Sequence, residues 1–431
     1  MSKLFRALFL IALLVSIIAC NAAPAVAVPP AATRASTAAP THAAAPSDFD
    51  AARALEHNRA LAVTIGTRVA GTENGTKAAD YIAAQFKSYG YIVEKQDFSF
   101  EYWEDQGTNI QVTAPELRVL NKPRPIQYSP SGHLSEDLVL VGGVGNENDF
   151  ARANAKGKIA LVQRGTIPFS DKAKNGAAAG ARAVIIYNNA PGPFAGTLQN
   201  RVNIPAIGIS GEDGQMLLGL LQSGAVKIKI DSDTRLAQKT GVNVIATKRG
   251  TSGKTIILGG HPDSVEDTPG ANDNGSGTAV VLELARALAQ KPNKHTLTFV
   301  TFDAEEFGLI GSRHYADNLA ESDRAQIAAM LNFDMLGGGR GPLLLGGEGA
   351  LGQMARDAAK EIGVDARNFA LGNNAGSDHQ SFTRIGIDAV FFSRDYDLLH
   401  TPQDAIVEIR AEYLGEAGRV AMKLVEMLEG K

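Results

Sequence analysis

The stretch that decides the reading runs Gly260-His261-Pro262-Asp263, then Ala271-Asn272-Asp273-Asn274-Gly275-Ser276-Gly277, then Phe302-Asp303-Ala304-Glu305-Glu306-Phe307-Gly308. Each polar group follows an apolar run or a glycine-rich turn. The runs Thr255-Ile-Ile-Leu258, Leu297-Thr-Phe-Val-Thr-Phe302 and Ile327-Ala-Ala-Met-Leu331 have the continuous apolar character of strands buried on both faces of a parallel sheet. In open α/β sheets, ligands bind off the carboxyl ends of such strands, where these acidic and imidazole side chains fall. Two further candidates follow at Asp334 and His400.

Zinc accepts imidazole and carboxylate ligands, and a hydrolytic pair of ions needs a bridging carboxylate and an open position for water. The chain supplies such a set. His261, Asp273 and Asp334 can hold one ion, and Glu306 and His400 a second, with Asp273 bridging. Asp263 falls two residues after His261, on the same strand face because strand side chains repeat every second residue, where it can bind the far imidazole nitrogen and fix its tautomer. Glu305, beside ligand Glu306 but pointing elsewhere, is left to take a proton from water. The catalytic pair is therefore Glu305 and Asp263, and the metal set His261, Asp273, Glu306, Asp334 and His400.

Taken singly, these signals are ordinary. A lone His-x-Asp is usually structural, Asn-Asp-Asn-Gly-Ser-Gly is usually a turn before a helix, and Glu-Glu is commonly a solvated surface. Together, and in this order, His261-Pro-Asp263, Asn272-Asp273-Asn-Gly-Ser-Gly277, Asp303-Ala-Glu305-Glu306-Phe-Gly308, Asn332-Phe-Asp334 and His400-Thr-Pro resemble the di-zinc aminopeptidases of metallopeptidase family twenty-eight. The resemblance implies two zinc ions, a largely parallel three-layer α/β zinc-exopeptidase sheet, and peptide substrates with a free N-terminus. It also implies that Gly376, Asp378 and His379 line the substrate pocket without ligating metal. One departure stands out: the family often places a tyrosine immediately before the last histidine ligand, and here that residue is Leu399, so Tyr396 becomes the candidate replacement.

The remainder is organised around that core. Lys3 and Arg6 precede an apolar run from Leu8 to Ala19, the pattern of an export signal covering residues 1–20. Cys20, the one cysteine, follows Ile17-Ile-Ala19 as in a bacterial lipoprotein cleavage site, so an exported protein held at the membrane by a lipid anchor is expected, with secretion after cleavage near Ala25-Val-Ala27 as the alternative. Residues 21–47, rich in Ala, Pro, Thr and Ser, form a flexible linker. A peptidase domain is expected over residues 48–121 and 236–431, and helices through Ala51–Leu61 and Thr76–Tyr89. Between them, residues 122–235 carry short apolar strands and an alanine-rich helix. Gly157-Lys-Ile-Ala-Leu-Val-Gln-Arg-Gly165 and the segment Lys172 to Asn188 are similar to the protease-associated domain.

A net charge of −4 gives no broad basic face and argues against nucleic acid as a partner. Arg164 and Lys172 are expected as solvated charges, and so are Arg340, Arg384 and Arg394. That last expectation disfavours a carboxypeptidase or dipeptidase, which needs a cationic pocket for a terminal carboxylate. A complete ligand set likewise disfavours a receptor that has lost its metals. Asn274 and Ser276 are expected to cap the helix after Asp273.

Overall fold

The computed structural model describes residues 48–194, 196–372 and 376–430. The expected export signal, Cys20 and the expected linker, residues 1–47, lie outside them. From Asp48 onward the chain is one compact unit.

The apolar runs form the expected strands. Thr255–Gly260 lies between Thr296–Thr301 and Ile327–Phe333 and is parallel to both, and Ile327–Phe333 is parallel to Ala389–Asp395. Arg340–Gly346 then joins Ala389–Asp395 antiparallel and Ala366–Phe369 parallel. Successive side chains on a strand face opposite ways. Ile256 and Leu258 therefore pack with Val280, Leu284, Leu331, Phe333 and Val420, whereas Ile257 packs on the other face with Val300, Met330 and Phe382. Helices cover both faces, and the result is the three-layer α/β scaffold that the sequence predicts.

The helix Gly277–Ala289 buries Val280, Val281, Leu282, Leu284 and Leu288 and also Glu283, so it is enclosed on nearly all sides. Glu283 is tolerated there because Arg286 donates to its carboxylate at 2.6 and 2.8 Å and the Asp50 N–H at 2.7 Å. The first helix runs Ala51–Arg59, with Asp50 accepting from the Ala52 N–H at 2.9 Å, and continues as a wider turn to Ile65. The second runs Glu73–Ser88 and is capped by Thr72.

The alternation of Tyr91 to Phe100 predicts a short strand, and the strand that forms is far longer. Ile92–Ala114 pairs antiparallel with Lys227–Lys248 along almost the whole length of both. This ribbon extends the peptidase sheet at Thr296–Thr301 and also pairs with Gly132–Leu140. Beyond it, Gly132–Leu140, Ile159–Gln163, Ala183–Tyr187 and Ala206–Ile209 form a parallel set. The β-rich insertion thus hangs on the two-stranded ribbon and keeps its own core around Ile159, Leu161, Ile185 and Ile207.

Three charges expected in solvent have other positions. Lys172 is fully buried and its ammonium donates to the carbonyls of Val144 and Gln163. Arg164 is half-buried, with its guanidinium 4.9 Å above the Phe194 ring. Arg394 is buried, paired with Glu416 at 2.7 Å and stacked 3.8 Å over Tyr413. In each case the long stem fills apolar volume and the head finds carbonyls, a ring or a carboxylate, and a single sequence does not reveal such an arrangement.

Candidate metal centre

His261 and Asp263 sit just past the end of Thr255–Gly260, Asp303 to Glu306 just past Thr296–Thr301, and Asp334 directly after Phe333. His400 comes from the loop after Ala389–Asp395. His261 and Asp263 thus lie beyond the strand, not on it, and the strand-face argument for their pairing gives way to a turn. The outcome is still close to expectation. His261 Nδ1 is 3.2 Å from the Asp263 carbonyl oxygen and 3.4 Å from its carboxylate. These acceptors favour a proton on Nδ1 and leave Nε2 turned toward the carboxylates.

Nε2 of His261 lies 3.3 Å from Asp273 Oδ1, 3.4 Å from Asp334 Oδ1 and 3.9 Å from Glu305 Oε2. His400 Nε2 lies 3.2 Å from the other oxygen of Asp273 and 3.0 Å from Glu306 Oε2. Asp273 therefore faces one histidine with each carboxylate oxygen. Donor atoms of His261, Asp273 and Asp334 fall within 4.8 Å of one another, and so do those of Asp273, Glu306 and His400. A further set, His261, Glu305 and Glu306, meets the same limit.

The residues present fit a metal. His261 Nε2, Asp334 Oδ1 and Glu306 Oε1 are buried without a hydrogen-bond partner, a costly state for polar atoms unless something else satisfies them. Burial works against a charged ring at His261, yet the charges of Glu305 and Asp334, with the carboxylates of Asp263 and Asp273 close by, hold its pKa well above the ordinary value. Burial also opposes charge at His400, and the bonds to Asp273 and Glu306 overcome it and lift the ring to about 11. A carboxylate cluster that retains imidazolium protons so firmly offers the same negative field to a divalent cation. Burial pushes Glu306 up to about 7 and Glu305 well above its usual range, each helped by neighbouring carboxylates. Side-chain exposure is 1% at His261 but 48% at His400, so the cluster is closed beneath and open on the His400 side.

Surrounding residues set these positions. Asn272 Oδ1 accepts the N–H groups of Gly337 and Gly338, Asn274 Nδ2 donates to the Phe333 carbonyl, and Ser276 Oγ accepts from Leu336. The Asp273 turn is thereby sewn to the loop that follows Asp334. Asn274 does cap the next helix through the Gly277 N–H at 2.8 Å, but Ser276 gives its hydroxyl to Asn272 and caps nothing. Asp404 accepts the N–H groups of Asn272 at 2.7 Å and Asp273 at 3.0 Å. Ser377 donates to Asp334 Oδ2 at 2.7 Å and accepts from Asn332 at 2.7 Å. Sequence reasoning gave no role to Asp404 or Ser377, because both act through backbone or side-chain partners far away in the chain.

Of the residues expected beside the substrate, Asp378 is fully buried next to Ser377, and burial raises its carboxyl to about 7. His379 stacks on Phe391 at 4.9 Å, and burial lowers it to about 4. Gly376 is exposed, with Gln380 close by. Tyr396 does not offer a free hydroxyl: it donates to Asp404 at 3.1 Å.

The sheet and the ligand-bearing loops at its strand ends define the class, a three-layer α/β exopeptidase scaffold. Residues 243–425 match the model of peptidase family M28, and residues 134–217 match that of the PA domain. The chain is 35% identical over 395 residues to aminopeptidase YwaD of Bacillus subtilis, covering 86% of this chain and 83% of that protein. An aminopeptidase from Aneurinibacillus sp. strain AM-1 superimposes with a TM-score of 0.78 at 35% identity, over 88% of this chain and 94% of that one. BSAP, a zinc aminopeptidase from Bacillus subtilis, does so at 0.77 and 33%, over 88% and 95%. This protein belongs to peptidase family M28 and carries an inserted PA domain.

Proposed function

We propose that the protein is a di-zinc aminopeptidase that releases N-terminal residues from peptides. The observation that carries this reading is Asp273, whose two carboxylate oxygens lie 3.3 Å from His261 and 3.2 Å from His400, the placement a carboxylate needs to bridge two cations. His261, Asp273 and Asp334 would hold one zinc, and Asp273, Glu306 and His400 the other. When bound, zinc supplies Lewis acidity at the scissile carbonyl and acidifies the attacking water. Similarity to aminopeptidases of known structure supports the assignment.

Glu305 is the general base in this reading. Its Oε2 is 3.9 Å from His261 Nε2 and it is absent from both sets that share Asp273, so its carboxylate is free to take a proton from water and return it to the leaving amine. Asp263 steadies Glu305 and the His261 ring. The negative field of Glu305, Glu306 and Asp334 suits the α-amino group of a substrate and repels a terminal carboxylate. Arg384 pairs with Asp317 and Arg394 with Glu416, so neither guanidinium is available to a C-terminal carboxylate. The PA domain, hung on the ribbon beside the sheet, would limit which peptides reach the cluster. The export signal, with Cys20 as an anchor, would place this activity outside the cytoplasm.

The test uses purified protein with metal analysis and paired substrates. The expected result is two zinc ions per chain, hydrolysis of an unblocked aminoacyl amide, loss of activity with chelator, and none on the N-acetylated amide. Cleavage of an acetylated peptide from its C-terminal end, with no action on the unblocked amide, would overturn the assignment.

A further inference from the structure

Arg68 lies outside the residues matched to the peptidase model, in the turn between the first two helices, and its side chain has no exposed surface. A buried guanidinium is usually paired with a carboxylate, but each acceptor of this one among the described residues is a backbone carbonyl. Nε donates to Pro262 at 2.8 Å, Nη1 to Pro269 at 2.7 Å, Gly66 at 3.0 Å and Leu61 at 3.3 Å, and Nη2 to Gly270 at 2.8 Å. Its own backbone N–H donates to Ser264 Oγ at 3.0 Å. Pro262 directly follows His261, and Gly270 precedes Asp273 by only three residues. One rigid planar fork thus holds both ends of the loop that separates these two candidate ligands.

Neighbouring residues extend the same attachment. Thr67 Oγ1 donates to the Thr268 carbonyl at 2.8 Å, and Asn58 Nδ2 to the Ala271 carbonyl at 2.8 Å. Thr268 in turn donates to the carbonyl of Thr401, next to His400, at 2.7 Å. Gly270 has a φ of +58°, and a Cβ there would come within 2.5 Å of Ser264 Cβ, 2.6 Å of the Asp273 carbonyl oxygen and 3.1 Å of Arg68 Nη2. Lysine, with three donors on a single nitrogen, cannot reproduce the fork.

We propose that Arg68 is the positioning residue of the metal centre: by clamping Pro262, Pro269 and Gly270 it fixes the separation of His261 and Asp273, and with it the zinc affinity of the pair. The inference rests on the zinc reading given above and assigns part of the centre's geometry to a residue remote from it in sequence. Removal of an outer partner of metal ligands typically weakens metal binding by about ten- to a hundredfold.

The test measures zinc affinity of the full chain by chelator competition and the visible absorption spectrum of the cobalt-substituted protein. Arg68→Lys should weaken zinc by about ten- to a hundredfold and shift the cobalt bands, while circular dichroism stays that of wild type. A folded Arg68→Lys protein with wild-type zinc affinity and cobalt spectrum would overturn the clamp. If that variant fails to fold, Thr67→Val, which removes one bond to the same loop, decides by the same readouts: weaker zinc and shifted bands support the clamp, and unchanged values overturn it. Wild-type protein that bound no zinc would instead sink the zinc reading, and the clamp with it.

Discussion

The carboxylate of Asp263 accepts the backbone N–H of Glu305 at 3.2 Å, and its second oxygen accepts that of Glu306 at 3.2 Å. Asp263 therefore joins two strand-end loops, fixing the proposed base and the adjacent proposed ligand through their main chain while it faces His261 Nδ1. Asn at this position keeps one acceptor and puts an NH2 group against a backbone N–H. Asp263→Asn is expected to lower kcat by about ten- to a hundredfold at saturating zinc. Steady-state kinetics alongside metal analysis check this, and an unchanged kcat would show that the loops hold themselves.

Glu305 and Glu306 are neighbours with separable proposed roles. Glu305→Gln should keep its zinc and lower kcat by about a hundredfold to ten-thousandfold, the range for a lost general base. Glu306→Gln should lose metal, because its Oε2 faces His400 at 3.0 Å within the shared set. Zinc content of the two purified variants distinguishes them, and the opposite pattern would exchange the assignments.

Tyr396 was the candidate replacement for the tyrosine absent at Leu399. Its hydroxyl is instead engaged by Asp404, which holds the N–H groups of Asn272 and Asp273. Tyr396→Phe should then reduce kcat by less than about tenfold, well short of the hundredfold to thousandfold typical of a lost oxyanion donor. A loss in that larger range, with KM unchanged, would restore the direct role.

The contrast between Asp273 and Arg68 shows what was legible in the sequence. Asp273 was legible as a candidate because metal chemistry restricts residue type and because buried parallel strands announce themselves as apolar runs, so possible donors at their ends stand out. Arg68, Asp404 and Ser377 were not visible, since they act by hydrogen bonds to groups tens to hundreds of residues away and their types are unremarkable locally. Backbone conformation was equally hidden. Ala304, Met335 and His400 each take a positive φ near 60°, strained for residues with a Cβ, and each lies in a loop that delivers site residues. The ribbon of Ile92–Ala114 and Lys227–Lys248 was legible only in part: Phe98 to Tyr102 and Lys227 to Ile230 alternate between buried and exposed, but the stretches 103–109 and 233–240 bury no residue, so burial imposes no pattern there.

Lys172 supplies a prediction far from the metal centre. Burial lowers its pKa from 10.5 to about 8, partly offset by the charge of Asp149, and its ammonium donates to the Val144 and Gln163 carbonyls. Because the folded value lies below the unfolded one, the buried charge costs stability at every pH below about 8. Between about 8 and 10.5 the folded protein releases the proton while the unfolded chain retains it, so stability from this group rises with pH. Lys172→Met removes the titration and leaves two carbonyls without this donor, at a cost of about 1–3 kcal/mol each where water cannot replace it. The stability of wild type relative to Lys172→Met, measured by urea unfolding, should therefore increase from pH 7.5 to 9.5. A difference that stays constant over that interval would mean that Lys172 keeps an ordinary pKa, with its ammonium reached by water.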